Sequence, residues 1–265
     1  MTEQIRDYLA TAIRAAQAAG KIQQFYLGGE LEIETKSSAT DIVTEADKRC
    51  EARIREIIQG AYPDHVVFGE EEGQPGGEAR CRWIVDPIDG TTNYAQGFPF
   101  FCVSIGLEID GVIELGVVFD SNRDELFTAT RGGGAFLNGV PLAVTQKTEL
   151  INCVLGTGFA YNEGTIHENI EVFGRVHAGV RSIRRPGAAA LDLCYVACGR
   201  LDGFWEMKLK PWDVAAGWLI VREAGGTVTG GGGEPYALGS PVVVASNGHI
   251  HMKLIDLLDL ATTLA

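Results

Sequence analysis

Two aspartates three residues apart, Asp86 and Asp89, stand in the run Trp83-Ile84-Val85-Asp86-Pro87-Ile88-Asp89-Gly90-Thr91-Thr92-Asn93. Three apolar residues read as a buried strand, and Pro87, which has no N–H, is expected to end its ladder pairing. Asp86 then lies where the strand runs out, and Asp89 follows on a tight turn closed by Gly90. Two carboxylates fixed there, beside backbone N–H groups and two hydroxyls, suit a hard cation together with a phosphate. Mg²⁺ is commonly held by one or two carboxylates plus phosphate oxygens. The N–H groups of Gly90 and Thr91, at a helix start, would face the phosphate. The same residues are also ordinary turn chemistry, since Asp-Pro and Asp-Gly both mark strand ends and turns.

Further acids recur at element ends. Thr44-x-x-Asp47 reads as an acidic capping box opening a helix whose apolar face is Cys50, Ile54, Ile57 and Ile58. Asp47, three residues before Cys50, falls on or beside that buried face, where a carboxylate needs a partner; simple capping is the alternative. Val66-Val67-Phe68 reads as a strand ending at Gly69-Glu70-Glu71-Glu72. Such an acidic run is commonly a solvated loop, yet it repeats the strand-end placement of Asp86. Glu206 closes another strand, and seven residues later Asp213 stands at the entrance of an apolar helix, where Asp is also a good N-cap. Asp47, Glu70, Asp86, Asp89, Glu206 and Asp213, in a chain with 5 histidines, favour a carboxylate-ligated Mg²⁺ cluster over zinc.

The elements that must position these acids follow from periodicity. Residues 2–27 read as an amphipathic helix with Ile5, Leu9, Ala12, Ala16 and Ala19 at helical spacing. A strand over 31–35 and a polar loop over 36–40 precede the Thr44 helix. Strands are expected over 101–108, 112–119 and 125–129, with Asp110-Gly111 and Asn138-Gly139 as hairpin turns. Gly132-Gly133-Gly134 reads as a bend, without the spacing of a phosphate-binding loop. Beyond a strand at 151–156, helices are expected over about 165–177, 188–198, 214–224 and 250–260, with strands at 203–206, 227–229 and 242–245. Gly225 should close the third of these helices. No repeat or linker appears, so residues 1–265 read as a single catalytic domain. Two subdomains, about 1–148 for metal and phosphate and 149–265 for substrate, would meet near residue 149.

Composition narrows the class. With 265 residues and 46% hydrophobic content the chain can bury a real core. A net charge of -13 gives no sign of a nucleic-acid surface, and an acidic protein acting on a phosphate needs metal to offset repulsion. Met1–Tyr8 lacks an apolar signal core, no run approaches a membrane span, and the six cysteines are scattered; a cytoplasmic protein with reduced cysteines is expected.

The 83–93 run resembles the first signature of the inositol monophosphatase family, and Trp212-Asp213-Val214-Ala215-Ala216-Gly217 the second. Gly69-Glu70-Glu71 and Asp41-Ile42-Val43-Thr44-Glu45-Ala46-Asp47 are similar to further family elements, in the expected order from about Lys36 to Asn247. The resemblance implies an α+β fold, a layered α-β-α-β-α sandwich shared with fructose-1,6-bisphosphatase, and a Mg²⁺-dependent, lithium-sensitive phosphatase, commonly a homodimer. Two or three Mg²⁺ are implied per site. Glu70, Asp86 and the Ile88 carbonyl would bind the first; Asp86, Asp89 and Asp213 the second; Glu70 also a weaker third. Thr91 would orient the attacking water and Asp47 accept its hydroxyl. Gly90 and Thr91 would face the phosphate, while Ala189, Glu206 and Asp213 would line the substrate side. Lys36, in a loop near the site, and Arg184 are further candidates. Arg184 and Arg185 could hold a second phosphate or serve a dimer interface. The bacterial inositol monophosphatase type fits best. Fructose-1,6-bisphosphatase, histidinol-phosphatase, phosphoadenosine phosphate phosphatase and a regulatory binding protein of the same fold are the alternatives.

Overall fold

The computed structural model describes residues 2–29, 33–35, 42–73, 79–159 and 166–260; Lys36 lies outside them. The chain opens with α1 (Glu3–Tyr26), capped by Thr2, whose hydroxyl accepts the Ile5 N–H, and buries an alanine-rich face including Ala12, Ala15, Ala16 and Ala19. A short antiparallel pair, β1 (Ile33–Thr35) with β2 (Ile42–Thr44), leads into α2 (Glu45–Ala61). Next come β3 (Val66–Gly69), β4 (Cys81–Asp89), the short α3 (Thr91–Ala95), β5 (Cys102–Ile109), β6 (Val112–Asp120), β7 (Glu125–Thr130), β8 (Gly134–Leu137) and β9 (Val140–Pro141). Strands β3 to β9 form one sheet of 7 strands in chain order, parallel between β3 and β4 and antiparallel elsewhere.

The remainder comprises β10 (Val154–Thr157), α4 (Ile166–Gly179), β11 (Ser182–Arg184), α5 (Ala189–Ala197), β12 (Gly203–Met207), α6 (Pro211–Glu223), β13 (Thr227–Thr229), β14 (Val242–Ser246) and α7 (His251–Leu258). Its sheet of 5 strands runs β11-β10-β12-β14-β13, with β10 parallel to both neighbours. Three cores hold five layers together, the middle one spanning both faces of its helical layer. The first joins α1 and α2 to one face of the large sheet through Ile54, Trp83, Val85 and Ile105. The middle core places α5 and α6 between the two sheets, and the third joins the small sheet to α4 and α7 through Val172, Val176, Trp205 and Leu254. This is the layered α-β-α-β-α sandwich. Helix α6 can approach β6 closely because Gly116 has no side chain: a Cβ there would lie 2.7 Å from the Ala216 carbonyl oxygen.

Several sequence expectations change in detail. Strand β4 does not stop at Pro87; it continues to Asp89 through a register shift between Asp86 and Asp89, so Pro87 falls in the irregularity where no ladder donor is needed. The buried Gln23 amide of α1 donates to the Pro87 carbonyl at 2.9 Å and holds this irregularity from behind. Helix α6 begins earlier than expected, with Lys210 as N-cap and Pro211 in the first turn. Residues 150–152 form a 3₁₀ turn, and the strand starts only at Val154. Both hairpin turns hold: Asp110, Gly111, Asn138 and Gly139 all have positive φ. Among the described residues no helix is long and apolar enough to cross a membrane. All six cysteines are free, and five are buried.

Candidate active site

The β4 irregularity brings the two motif aspartates to the same place. Asp86 is 2% exposed and its Oδ1 accepts the Ile88 N–H at 3.0 Å. Asp89 reaches across to the second half, where its Oδ1 and Oδ2 accept the N–H groups of Ala189 (3.2 Å) and Ala190 (2.7 Å) at the start of α5. Gly90 then turns the chain with φ +95; a Cβ there would lie 3.0 Å from the Phe100 carbonyl and 3.2 Å from Ala188 Cβ. Glycine is required on both counts. Asn93 of α3, which sequence reasoning passed over, donates to the carbonyls of Phe100 and Pro186, both at 2.8 Å, and so ties the motif to the approach of α5.

Helix α2 supplies Asp47, which is fully buried. Its Oδ2 accepts from the Thr44 backbone (2.8 Å) and hydroxyl (2.5 Å), while Thr91 Oγ1 donates to its Oδ1 at 3.2 Å. Capping and the link to Thr91 are therefore both made, by different oxygens of one carboxylate. The Ile88 carbonyl is a second acceptor for Thr91, at 3.1 Å. Asp213 stands in the first turn of α6, where it accepts the Lys210 N–H at 2.7 Å and lies close enough to the Asp86 carboxyl to interact with it. Glu70 follows β3, with its N–H on the Val85 carbonyl.

Electrostatics unites these acids. Burial raises the Asp86 pKa well above the carboxylate range, and the charges of Glu70, Asp89, Asp213 and Asp47 raise it further. Burial likewise lifts Asp89, to about 7 even with two backbone N–H groups opposing the shift, and raises Asp213 with help from Asp89 and Glu70. Groups whose charges act on one another lie near one another in the fold. Among the described residues, no group of three or more His, Cys, Asp and Glu side chains is yet gathered as a metal would gather them.

Glu206, next to the end of β12, carries a raised pKa through burial and the charges of Asp213 and Asp89, partly offset by Arg185. Its carboxylate occupies space that Gly158 leaves open, for a Cβ on Gly158 would lie 2.1 Å from Oε2. Ala189 is buried beside Asp89. Arg184 does not join the group; it is exposed on the edge strand β11 and donates to Ser182 and the Ile183 carbonyl. Arg185 faces Glu206 instead, with its guanidinium 5.4 Å from the centre of the Phe159 ring. Sequence reasoning missed Asp192 on α5 as well. It is fully buried, neither carboxylate oxygen has a partner among the described residues, and burial with the Glu206 charge raises its pKa. Its signal in the sequence is a lone carboxylate within the apolar run from Ala188 to Cys198.

Fold and acidic centre together place the chain among the layered phosphatases. More narrowly, it belongs to the inositol monophosphatase family, whose model matches residues 4–262. It is 44% identical over 253 residues to inositol-1-monophosphatase of Synechocystis sp., covering 94% of this chain and 88% of that protein. It is 43% identical over 243 residues to Nus factor SuhB of Pasteurella multocida, covering 90% and 91% of the two chains. The crystal structure of extragenic suppressor protein suhB from Bartonella henselae superposes with a TM-score of 0.92 at 41% identity, covering 96% of this chain and 98% of that one. The chain is thus an enzyme, a phosphatase of this family.

Proposed function

We propose that the protein is a Mg²⁺-dependent phosphomonoesterase acting on inositol monophosphate or a similar small polyol or sugar phosphate. The observation that carries this reading is the acidic centre itself: the charges that act most on the buried Asp86 are all negative. Such a set is costly to bury alone and fits hard cations with oxygen ligands. Glu70, Asp86 and the Ile88 carbonyl would hold one ion, and Asp86, Asp89 and Asp213 another. When bound, Mg²⁺ supplies a water of lowered pKa and neutralises phosphate and leaving-group charge.

The chain's own residues do the rest. Thr91, with its proton directed to Asp47 Oδ1 or the Ile88 carbonyl, leaves an oxygen lone pair facing outward to accept from the attacking water. The Gly90 and Thr91 backbone would meet the phosphate. Glu206 would accept hydrogen bonds from polyol hydroxyls beside Ala189 and Arg185. Of the two arginines considered for a second phosphate, Arg184 donates within its own strand, while Arg185 faces Glu206. The relatives named Nus factor SuhB support a second reading, a factor that acts by binding; the complete acidic set favours catalysis.

The test is phosphate release across a panel of small phosphomonoesters, with Mg²⁺ and after exhaustive chelation. Release from polyol phosphates that vanishes with the metal is expected. Undiminished release after chelation, or none from any member of the panel, would overturn the reading.

A further inference from the structure

Helix α2 carries three charged or acidic residues on successive turns of one buried face: Asp47, Glu51 and Arg55, with exposures of 0%, 0% and 8%. Asp47 reaches Thr91. Glu51 and Arg55 form an ion pair at 2.7 Å, and what they hold is the turn that carries Glu70. Glu51 Oε2 accepts the Glu71 N–H at 2.8 Å, and Oε1 accepts the Glu72 N–H at 3.1 Å. Arg55 donates to the Val67 carbonyl at 2.9 Å and the Gly73 carbonyl at 3.3 Å, and pairs with the Glu72 carboxylate at 3.2 Å.

The main chain is therefore gripped at 67, 71, 72 and 73, on both sides of Glu70, while the Glu70 N–H is fixed by Val85 of β4. The carboxylate of Glu51 lies flat against Gly69, where a Cβ would come within 2.3 Å of Glu51 Cδ. Residues 69 and 73 close the turn by exchanging backbone hydrogen bonds. A buried ion pair is weak support for stability, because desolvation cancels much of the attraction. Its bonds to one loop's backbone are better explained by what that loop presents.

We propose that Glu51, together with Arg55, is a positioning residue for the acidic centre. The pair clamps the Gly69–Gly73 turn so that Glu70 is delivered toward Asp86 already ordered. This rests on the proposed role of Glu70 as a metal ligand. Groups that orient ligands from behind typically contribute about tenfold to a hundredfold to metal affinity. In Glu51→Gln one oxygen becomes an NH₂ group, which opposes a backbone N–H of the turn in place of accepting it.

The experiment measures Mn²⁺ affinity of the metal-free protein by calorimetry, alongside thermal unfolding and steady-state kinetics. Glu51→Gln is expected to weaken Mn²⁺ binding at least tenfold. Its kcat should return to within about threefold of wild type at high Mg²⁺, with substrate KM unchanged. Arg55→Lys, which keeps the charge but loses the fork to Val67 and Gly73, should show a smaller loss in the same direction and carries the test if Glu51→Gln does not fold. Unaltered Mn²⁺ affinity in the folded variants, with only the unfolding midpoint lowered, overturns the proposal and leaves a structural pair. Glu70→Gln separates the two claims: wild-type Mn²⁺ affinity there sinks the ligand role itself, whatever Glu51 does.

Discussion

Replacing Asp47 by asparagine separates two duties that one carboxylate performs. In the folded protein Oδ2 holds both donors of Thr44 and Oδ1 receives the Thr91 hydroxyl. Asparagine keeps the shape. Its carbonyl can stay on Thr44, because the third residue of a capping box needs only an acceptor oxygen for the N-cap N–H, so folding should change by no more than about 1 kcal/mol. The amide must then face Thr91. There it donates to the Thr91 oxygen and occupies the lone pair that the attacking water needs, while the Thr91 proton turns to the Ile88 carbonyl, 3.1 Å away. A charge-assisted bond is lost, worth about 1–2 kcal/mol more than a neutral one, and the acceptor bond to the attacking water, worth about 1.5–3 kcal/mol, goes with it. At about 1.4 kcal/mol per decade, the two together should lower kcat by roughly a hundredfold to a thousandfold, with substrate KM little changed. The assay is phosphate release from inositol 1-phosphate at saturating Mg²⁺, beside a thermal unfolding curve. A kcat within about threefold of wild type, with the curve moved down several degrees, would show that Asp47 only caps its helix.

Glu206→Gln should chiefly raise KM for polyol phosphates, whereas Asp213→Asn should lower kcat for every substrate and weaken Mg²⁺ binding; equal losses for Glu206→Gln on a substrate without ring hydroxyls would remove its selective role. Gly158→Ala drives a methyl into the Glu206 carboxylate and should raise polyol KM about tenfold, as expected for a hydrogen-bonding group moved out of reach, yet spare turnover of that simpler substrate; losses shared by both would refute it. In the metal-free protein, Asp89 keeps its proton to about pH 7, while the unfolded chain releases it near pH 4. Stability from this group is fully present below the lower value and is lost as pH rises through the upper one. His65 and His251, lowered by burial, act in the opposite sense, so the quantity to measure is the urea midpoint of wild type minus that of Asp89→Asn, in chelator. It should fall from pH 5 to pH 7.5 and flatten in Mg²⁺; a difference that rises with pH contradicts the assignment.

Local chemistry made much of this protein legible. Alanines at helical spacing buried one face of α1, the Asp-Gly and Asn-Gly pairs turned their hairpins through positive φ, and Thr44 with Asp47 built the capping box. The six acids were visible because each sits at an element boundary. What stayed hidden depends on partners distant in the chain. Pro87 remains inside β4 because a register shift absorbs it and Gln23, 64 residues away, satisfies its carbonyl. Glu51 and Arg55 have the spacing of an exposed helical ion pair, and only the returning Gly69–Gly73 turn reveals that they are buried. Arg184 and Arg185 are alike as letters; a three-residue edge strand with no apolar pattern decides that the second one faces Glu206.

The middle layer also sets an order of events during synthesis. Asp213 and the helix that carries it lie near the end of the chain, yet α6 packs onto β4, β5, β6 and β7 as well as onto the small sheet. A nascent chain that has emerged only as far as β12 can pair the large sheet but leaves its inner face, with the bare backbone at Gly116, without the helix that fits it. In such a chain the Ala189 and Ala190 amides that hold Asp89 in the finished fold are already made, but Asp213 is not. The acidic set is therefore complete only with roughly the last fifth of the polypeptide, and a truncated product of interrupted translation would carry Asp86 and Asp89 without Asp213.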